Sequence, residues 1–436
     1  MFINDALCRE KKTFSLTEVR DYAVKNSTKT KNARLDVAIA KKKIRETTAL
    51  GLPQVNASVS YQDMVQLPTT LIPAQIFDPD AEEGTFLEMQ FGTQHNVSLE
   101  VSASQLIFQG SYIVALQASQ IFLRLSQESL IKSEIEVKET VTKTYYLVLL
   151  AENTKKNLES NLENLKKILF ETGELFKAGF AEDTDVDQVQ LTITDLTNSI
   201  KSVNRQISVT RKLLKFQMGI NLEEKIELSE NLENILNKIN SADILAEEFN
   251  IINHIDYRIL ETREKSLFFL LKKEKSEFLP TLSAFITYQG NAMRNEFNFF
   301  KKTGDKWFPA TIIGINIAVP IFSSGSRAAK IRQAKLELKK AKNDKKNVKK
   351  GLKLDLLQAR YDFSSALEKS GNTEKNVLLA KKIYAKTLVK YRQGISSSLE
   401  LTQTHNQYLQ SQAKHTNAVV ELLNSKVKLD KALNKL

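Results

Sequence analysis

Few side chains in this chain of 436 residues stand at spacings that could do chemistry. Asp183, Asp185 and Asp187 alternate like the ligands of a calcium loop, but the glycine and the bidentate glutamate of such a loop are missing. Because the helix dipole favours aspartate at a helix start, we interpret this cluster as the beginning of a helix. The four histidines have no Cys, His or Glu partner at ligand spacing on one face: His95, His254, His405 and His415. We therefore expect no metal site.

Enzyme motifs are equally absent from the sequence. It contains no nucleotide-binding glycine loop, no HExxH and no nucleophile elbow, so we expect no catalytic residues and no cofactor. The single Cys8 rules out an internal disulfide. No apolar run reaches about 18 residues, the length that would predict a transmembrane helix. A charged-then-apolar leader is not apparent, so either the chain begins after its leader or the protein stays inside the cell.

Three landmarks occur twice in the same order, which indicates an internal duplication of about 215 residues. A Leu-Pro segment opens an alternating stretch, an Ile-Phe segment closes one, and a glycine interrupts a helical pattern. The first copies lie at 51–55, 107–111 and 176–180, and their counterparts at 278–282, 321–326 and 391–395. Each copy is predicted to run helix, strand, strand, very long helix, break, long helix.

The alternating stretches predict four strands, and the segments between them predict long helices. Strict alternation of apolar and polar residues places strands at about 54–62, 96–105, 281–289 and 312–321. Phe285 breaks the alternation, and we interpret residues 64–94 as a long loop. Residues 110–173 have glycine only at their ends and no proline, which is roughly 95 Å of helix. Apolar residues at steps of three and four along 185–217 predict a coiled-coil seam.

Four strands cannot close a barrel, because about eight are needed. A soluble sandwich would put the apolar face on a core. An outer-membrane barrel built from several chains would put it against lipid. Strand lengths close to the roughly nine to eleven residues of a membrane-spanning strand favour the barrel.

Three segments together resemble the TolC-like outer-membrane efflux protein family over about residues 13–436. They are Ala49 to Val55, Val319 to Arg327 and Tyr391 to Gly394. The resemblance implies a mainly α fold with a small β part, in which duplicated coiled-coil hairpins accompany four antiparallel strands. A homotrimer would form a twelve-stranded outer-membrane barrel, continued by an α-helical periplasmic tunnel. The implied parts are a first repeat at 13–220 with helix pair 110–217, a linker or equatorial subdomain at 221–250, and a second repeat at 251–436 with helix pair 323–433.

The resemblance also implies where the tunnel closes. Gly179 and Gly394 match the tip turns, where an adaptor would dock, and Glu400 and Gln403 match two acidic residues that ring the constriction. Since the second carboxylate is an amide here, the ring should attract cations less strongly. Tyr391 and Asp185 match a tyrosine and an aspartate that contact each other in the family.

The closing network departs from the family at one position. Ser396 stands where an arginine is often found, although Arg392 is available as a substitute. The resemblance therefore does not imply the family's complete set of tip-closing contacts for this chain.

The function implied is a passive exit duct of a tripartite efflux pump or a type I secretion system. Its partners would be two further copies of the chain, a periplasmic adaptor, an inner-membrane transporter and outer-membrane lipid. Localisation would be the outer membrane with a periplasmic extension. A soluble coiled-coil scaffold or a periplasmic adaptor-like protein is the alternative, and detergent dependence separates the two.

A lysine stripe is the remaining charged feature. Twelve Lys or Arg between Arg327 and Lys353 oppose Glu337 and Asp344, which gives a local net charge of +10 in a chain of net +12. Six lysines share one helix face: Lys335, Lys339, Lys342, Lys346, Lys349 and Lys353. A solvated face, a basic tunnel lining, and a contact with anionic lipid or cell-wall polymer all fit. Nucleic acid is not expected, because aromatic residues do not interleave with the charge.

Overall fold

The structure is a computed structural model that describes residues 12–239, 247–301 and 306–436. Cys8 and residues 240–246 of the predicted linker lie outside the described residues. The chain divides into two compact units. Of the described residues, unit 1 holds 12–38, 124–239, 247–263 and 341–436, and unit 2 holds 39–123, 264–301 and 306–340. Among the described helices, none is both long and apolar enough to cross a membrane.

Unit 2 is built on one antiparallel sheet of four strands. The strands are β2 (Gln54–Asp63), β5 (His95–Gln109), β7 (Thr281–Arg294) and β8 (Phe308–Ala318), paired in the order β2-β5-β7-β8. All four predicted strands are present, although β8 begins and ends several residues earlier than 312–321. The predicted loop at 64–94 is not all loop, since β3 (Thr69–Pro73) and β4 (Phe86–Gln90) form a hairpin within it.

The register puts the apolar residues of all four strands on one face. Val59 pairs with Leu99, and Ile286 pairs with both Ala103 and Ile313. Phe285 lies on the polar face, where the structure explains why it interrupts the alternation. It is paired with Gly314, and its ring lies 2.7 Å from where a β-carbon of Gly314 would be. A bulky aromatic residue thus covers the strand glycine, which has no side chain of its own to pack.

Unit 1 contains the helical hairpins and a smaller mixed region. The α-helices of the described residues are α1 (Leu16–Asn26), α2 (Thr28–Ala49), α3 (Gly110–Lys177), α4 (Asp183–Met218), α5 (Leu232–Asn237), α6 (Ile255–Ser276), α7 (Ser326–Arg392) and α8 (Ser398–Ala432). The coiled-coil seam of α4 is confirmed, because Val189, Ile193 and Leu196 are buried. Helix α1 begins with a capping box, in which Ser15 and Glu18 exchange hydrogen bonds.

One core joins the start of the chain to the segment between the two copies. Strand β1 (Lys12–Phe14) pairs in parallel with β6 (Ile226–Leu228), a ladder that no alternation pattern in the sequence indicated. Glu230 accepts hydrogen bonds from the Leu16 amide at 3.0 Å and from the Tyr145 hydroxyl at 3.4 Å. Tyr145 is fully buried in the same cluster as Val19 and Leu214. Residues 221–239 are therefore part of this core and are not only helical.

The packing around Gly219 leaves no room for a side chain at this position. It ends α4 in the left-handed region at φ 74°, and a β-carbon there would lie 2.6 Å from the Asn26 carbonyl oxygen. Gly173, inside α3, offers a matched control, because a β-carbon there would meet no atom within 4 Å.

We expect Gly219→Ala to lower the free energy of unfolding by about 1–3 kcal/mol, because both the backbone and the contact with Asn26 are strained. Gly173→Ala should raise it by about 0.5–1 kcal/mol, since alanine is the better helix former. Thermal unfolding followed by circular dichroism at 222 nm, the usual helix band, measures both shifts. Shifts of the same sign would contradict the close packing of Gly219 on Asn26.

Candidate functional site

The two hairpins of unit 1 end in turns of the same construction. Gly179, two residues after the end of α3, has φ 76°, and Gly394, two residues after the end of α7, has φ 72°. The amide of Phe180 donates to the Leu175 carbonyl and that of Ile395 to the Lys390 carbonyl, each at 2.9 Å. These six-to-one bonds, with a left-handed glycine before them, define the Schellman motif. The turn geometry explains why both copies have glycine here.

The next helix of each hairpin starts with a carboxylate at the same place. Asp185 accepts the Glu182 amide at 3.0 Å, and the Glu400 amide donates to Ser397 at 3.2 Å. Ser396, found where the resemblance led us to expect arginine, donates to the Glu400 carboxylate at 2.6 Å. Glu400 and Gln403 are both exposed. Asp185 and Glu400 are thus equivalent positions of the duplication, each in the first turn of its helix, where the helix dipole favours negative charge.

Three polar contacts join the two hairpins near their tips. Ser398 donates to the Asp185 carboxylate. The hydroxyls of Tyr391 and Thr172 lie 2.9 Å apart. Arg392 binds Glu171 through two hydrogen bonds of 2.8 and 2.9 Å. Sequence reasoning named Asp185, Tyr391 and Arg392, but it missed all three partners.

The predicted pairing of Tyr391 with Asp185 is replaced by two separate hydrogen bonds. Tyr391 bonds to Thr172, which is fully buried, and Asp185 bonds to Ser398. Burial raises the pKa of Tyr391, and the negative charge of Asp185 adds to this while the Thr172 bond opposes it. The two residues are therefore electrostatic neighbours. Their roles in gating stay a prediction.

A core behind these contacts draws on all four hairpin helices. It includes Ile168 of α3, Ile193 of α4, Tyr384 of α7 and Leu401 of α8. His405 lies in this core with 2% of its surface exposed, and its ring centre is 5.0 Å from that of Tyr384. Within the described residues, neither its Nδ1 nor the Tyr384 hydroxyl has a hydrogen-bond partner.

Burial shifts both groups toward their neutral forms. It lowers the pKa of His405 to about 4 and raises the pKa of Tyr384 to about 12. Because metal ions bind through clusters of ligands, His405 alone is not a metal site. No group of three or more His, Cys, Asp or Glu residues suited to a metal occurs in the described part of the chain.

Comparison with known proteins identifies this arrangement. The outer membrane efflux protein family matches residues 19–219 and 264–435, which is most of the chain. The chain belongs to the outer membrane efflux protein family. It is therefore an efflux channel of the outer membrane, and its family is one of transport ducts, not of enzymes. No curated protein matches it in sequence.

Solved outer-membrane channels share the fold of this efflux protein at low sequence identity. MtrE of Neisseria gonorrhoeae, solved in an open state, is 16% identical with a TM-score of 0.71, covering 96% of this chain and 88% of that one. VceC of Vibrio cholerae is 13% identical with a TM-score of 0.70, covering 96% and 95%. CmeC of Campylobacter jejuni is 19% identical with a TM-score of 0.69, covering 96% and 85%. At such identities, the likeness establishes the fold.

The buried histidine gives this efflux protein a defined pH dependence. The pKa of His405 is about 4 when folded and near 6.5 when unfolded, so the unfolded chain binds more protons between these values. The contribution of neutral His405 to the free energy of unfolding is therefore fully present above about pH 6.5. It is lost as the pH falls toward 4, which lowers the free energy of unfolding by an amount on the order of 3 kcal/mol. Thermal unfolding midpoints in detergent between pH 7.5 and 4.5, roughly the range of that titration, measure this loss.

The matched variants are His405→Leu and His415→Leu. His405→Leu should flatten the decline in the midpoint, whereas His415→Leu, at a half-buried position where His415 contacts Thr373, should leave it as in the parent protein. Equal pH profiles for the parent and His405→Leu would show that His405 is not buried in its neutral form.

Proposed function

We propose that this protein is the passive exit duct of a tripartite efflux pump or a type I secretion system, and that it works as a homotrimer. The observation that carries the proposal is the sheet of unit 2. Each of its four strands has exposed side chains on the apolar face, most strongly on the edge strands, where Val59 is 70% and Ile313 77% exposed. A soluble protein rarely leaves so large an apolar surface in water. The soluble scaffold is therefore not favoured.

The edges of this sheet support closure by further copies. Within the described residues, β2 and β8 each pair on one side only, which leaves two edges with free backbone donors and acceptors. In lipid such edges are very costly, so a membrane sheet must close on itself. Four strands are too few to do so, and three chains give the twelve strands of the proposed barrel.

The opposite face of the sheet suits a water-filled lumen. Ser98 donates to Asn291 at 2.7 Å, and Gln289 donates to Glu100 at 3.1 Å. Both are directly paired positions on neighbouring strands. Polar side chains bonded across strands in this way stabilise a sheet whose face meets water.

The helical hairpins would form the periplasmic tunnel, closed at the turns that contain Gly179 and Gly394. Glu400 and Gln403 would line the constriction, and Asp185 and Tyr391 would hold the closed arrangement. A periplasmic adaptor would dock at the tips, and an inner-membrane transporter would supply the energy. The exposed apolar residues Phe180 and Ile395, which directly follow the two glycines, offer an adaptor one hydrophobic contact per turn.

We expect the purified protein to run as a trimer in detergent and to conduct ions in planar bilayers. Glu400→Gln should weaken block by divalent cations at least threefold, since the ring loses its only carboxylate, whereas Gln403→Ala should leave block nearly unchanged. Single-channel current against Mg²⁺ concentration measures this. Folded trimers without conductance would refute the duct, and an unaltered Glu400→Gln block would place Glu400 away from the constriction.

A further inference from the structure

We propose that the hairpin β3–β4 of one copy binds the start of strand β8 in the next copy, which joins the trimer at one rim of its barrel. The inference rests on the proposed trimer. It follows from the exposed face of the hairpin, from its charge, and from the position that the strand order gives it. This rim contact, between residues 65–90 of one copy and 306–308 of the other, has a second copy of the chain as its partner.

The hairpin leaves one of its faces uncovered. Among the described residues, β3 and β4 pair only with each other, and their register puts Leu71 opposite Glu88 on the same face as Phe86. All three side chains on this face are exposed, whereas Ile72 and Met89 on the other face are half-buried. A two-stranded ribbon is only marginally stable alone, so a partner on the exposed face would stabilise it.

The segment that contains the hairpin is also strongly acidic. Residues 64–94 include five carboxylates and no Lys or Arg, in a chain of net charge +12: Asp78, Asp80, Glu82, Glu83 and Glu88. Within the described ranges, no ion pair links any of these carboxylates to a cation. The exposed face therefore combines apolar side chains with negative charge that its own chain does not neutralise, and it suits a basic, aromatic partner.

The strand order determines what lies beside the hairpin. Successive strands of the sheet are antiparallel, so the edge strands β2 and β8 run in opposite directions. When β2 of one copy pairs with β8 of the next, the end of β2 at Asp63 meets the start of β8 at Phe308. Because the hairpin follows β2, it comes beside the residues with which the partner's β8 begins.

The two faces of the sheet restrict the register of this pairing. A slip of one residue would turn the apolar side chains of β2 toward the polar face. Alignment of the two strands at their ends avoids this, and it pairs Val59 with the partner's Ile313, both on the apolar face. Two residues beyond the end of β2, Val65 then lies opposite the partner's Trp307. Both side chains are exposed in the single chain.

The start of β8 complements the hairpin in charge and in polarity. Lys306, Trp307 and Phe308 are exposed, and residues 301–306 contain three lysines and one aspartate, a net charge of +2. Within the described residues, no ion pair joins this segment to the hairpin of the same chain. An apolar, acidic face and an aromatic, basic strand start thus stand on opposite sides of each seam between copies.

Cross-linking tests the geometry of the seam. In a Cys8→Ser background, Val65→Cys combined with Trp307→Cys should give covalent dimers and trimers with a short bismaleimide. Leu50→Cys, which is equally exposed but lies at the opposite end of β2, should give no such products with Trp307→Cys. Denaturing gels distinguish the products. Equal yields from the two pairs, or no intermolecular product from the first pair in intact trimers, would overturn the inference.

A charge exchange tests the electrostatic part of the rim contact. Glu88→Lys and Lys306→Glu should each raise the fraction of monomer after mild heating in detergent by about threefold or more, summed over three seams. The double variant should recover most of this loss, because opposite charges face each other again. Lys201→Glu, an exposed reversal in unit 1, should change the fraction little. A double variant no more stable than its two parents would contradict the rim contact.

A second substitution tests the apolar part. Phe86→Ser should also raise the monomer fraction about threefold or more, because the exposed ring would lose its cover in the trimer. Phe77→Ser is the matched control, since Phe77 is 59% exposed against 54% for Phe86 but lies outside the two strands of the hairpin. Equal effects of the two substitutions would show that the exposed face of the hairpin does not bind the partner.

Salt and a chelator distinguish direct contact from bridging by divalent cations between the carboxylates and lipid phosphates. Direct contact predicts that about 0.5 M NaCl raises the monomer fraction, because salt screens exposed charges, and that EDTA leaves it unchanged. An EDTA effect as large as that of Glu88→Lys would overturn the contact between copies.

The outcomes separate the inference from the proposed function. Conducting trimers whose monomer fraction responds to none of Glu88→Lys, Lys306→Glu and Phe86→Ser would overturn the rim contact while leaving the duct intact. A parent protein that forms no trimers, or trimers that never conduct, would refute the proposed duct itself. Native mass spectrometry of the parent and of each variant shows whether the trimer has formed.

Discussion

Unpaired backbone groups along β2 and β8 are the constraint on which the rest of this molecule depends. Within the described part of the chain, each of these strands bonds to a neighbour on one side only, and one of the two faces of the sheet is apolar. Both features are unfavourable for a single chain in water, and both are relieved at once when copies join edge to edge in a membrane. Closure of the sheet by further copies, as proposed above, would meet both needs, and the helical part would have to accommodate it.

The helical part accommodates it through the duplication. Two hairpins of nearly equal length end in the same Schellman turn and begin again with an acidic residue in the same first turn. In the proposed trimer, such equivalence would let three chains act as six similar elements around one axis.

The sequence predicted the elements better than their contacts. Alternation and helical periodicity located all four strands of the sheet and the hairpin helices, because burial of one face imposes those periods directly. The hairpin β3–β4 was missed because both strands are short and because Pro68 precedes β3 and Pro73 ends it. The ladder between β1 and β6 was missed because three residues of parallel pairing, 214 positions apart, leave no periodic trace.

At the candidate site, the sequence predicted the positions of the two turns but not the hydrogen bonds between the hairpins. Glycine is detectable because the left-handed turn requires it, and carboxylates are detectable because the helix start favours them. Thr172 and Ser398 are ordinary residues in helical sequence, and only the packing of one hairpin on the other makes them partners of Tyr391 and Asp185. Whether Tyr391 bonds to Thr172 or to Asp185 depends on the relative shift of two long helices, which no local sequence pattern encodes.

The contacts that would stabilise the proposed trimer are unequally divided between the sheet and the hairpin tips, which explains how its tips could open without dissociation of the trimer. Apolar area and open strand edges, which together stabilise an assembly most strongly, are concentrated in the sheet. At the tips, the helix ends are already capped and the carboxylates already bonded within each chain. In the trimer proposed above, copies held together at the sheet would gain little from further contact at the tips. A partner that binds the tips would then have only a small free-energy difference to overcome, while the barrel stays closed.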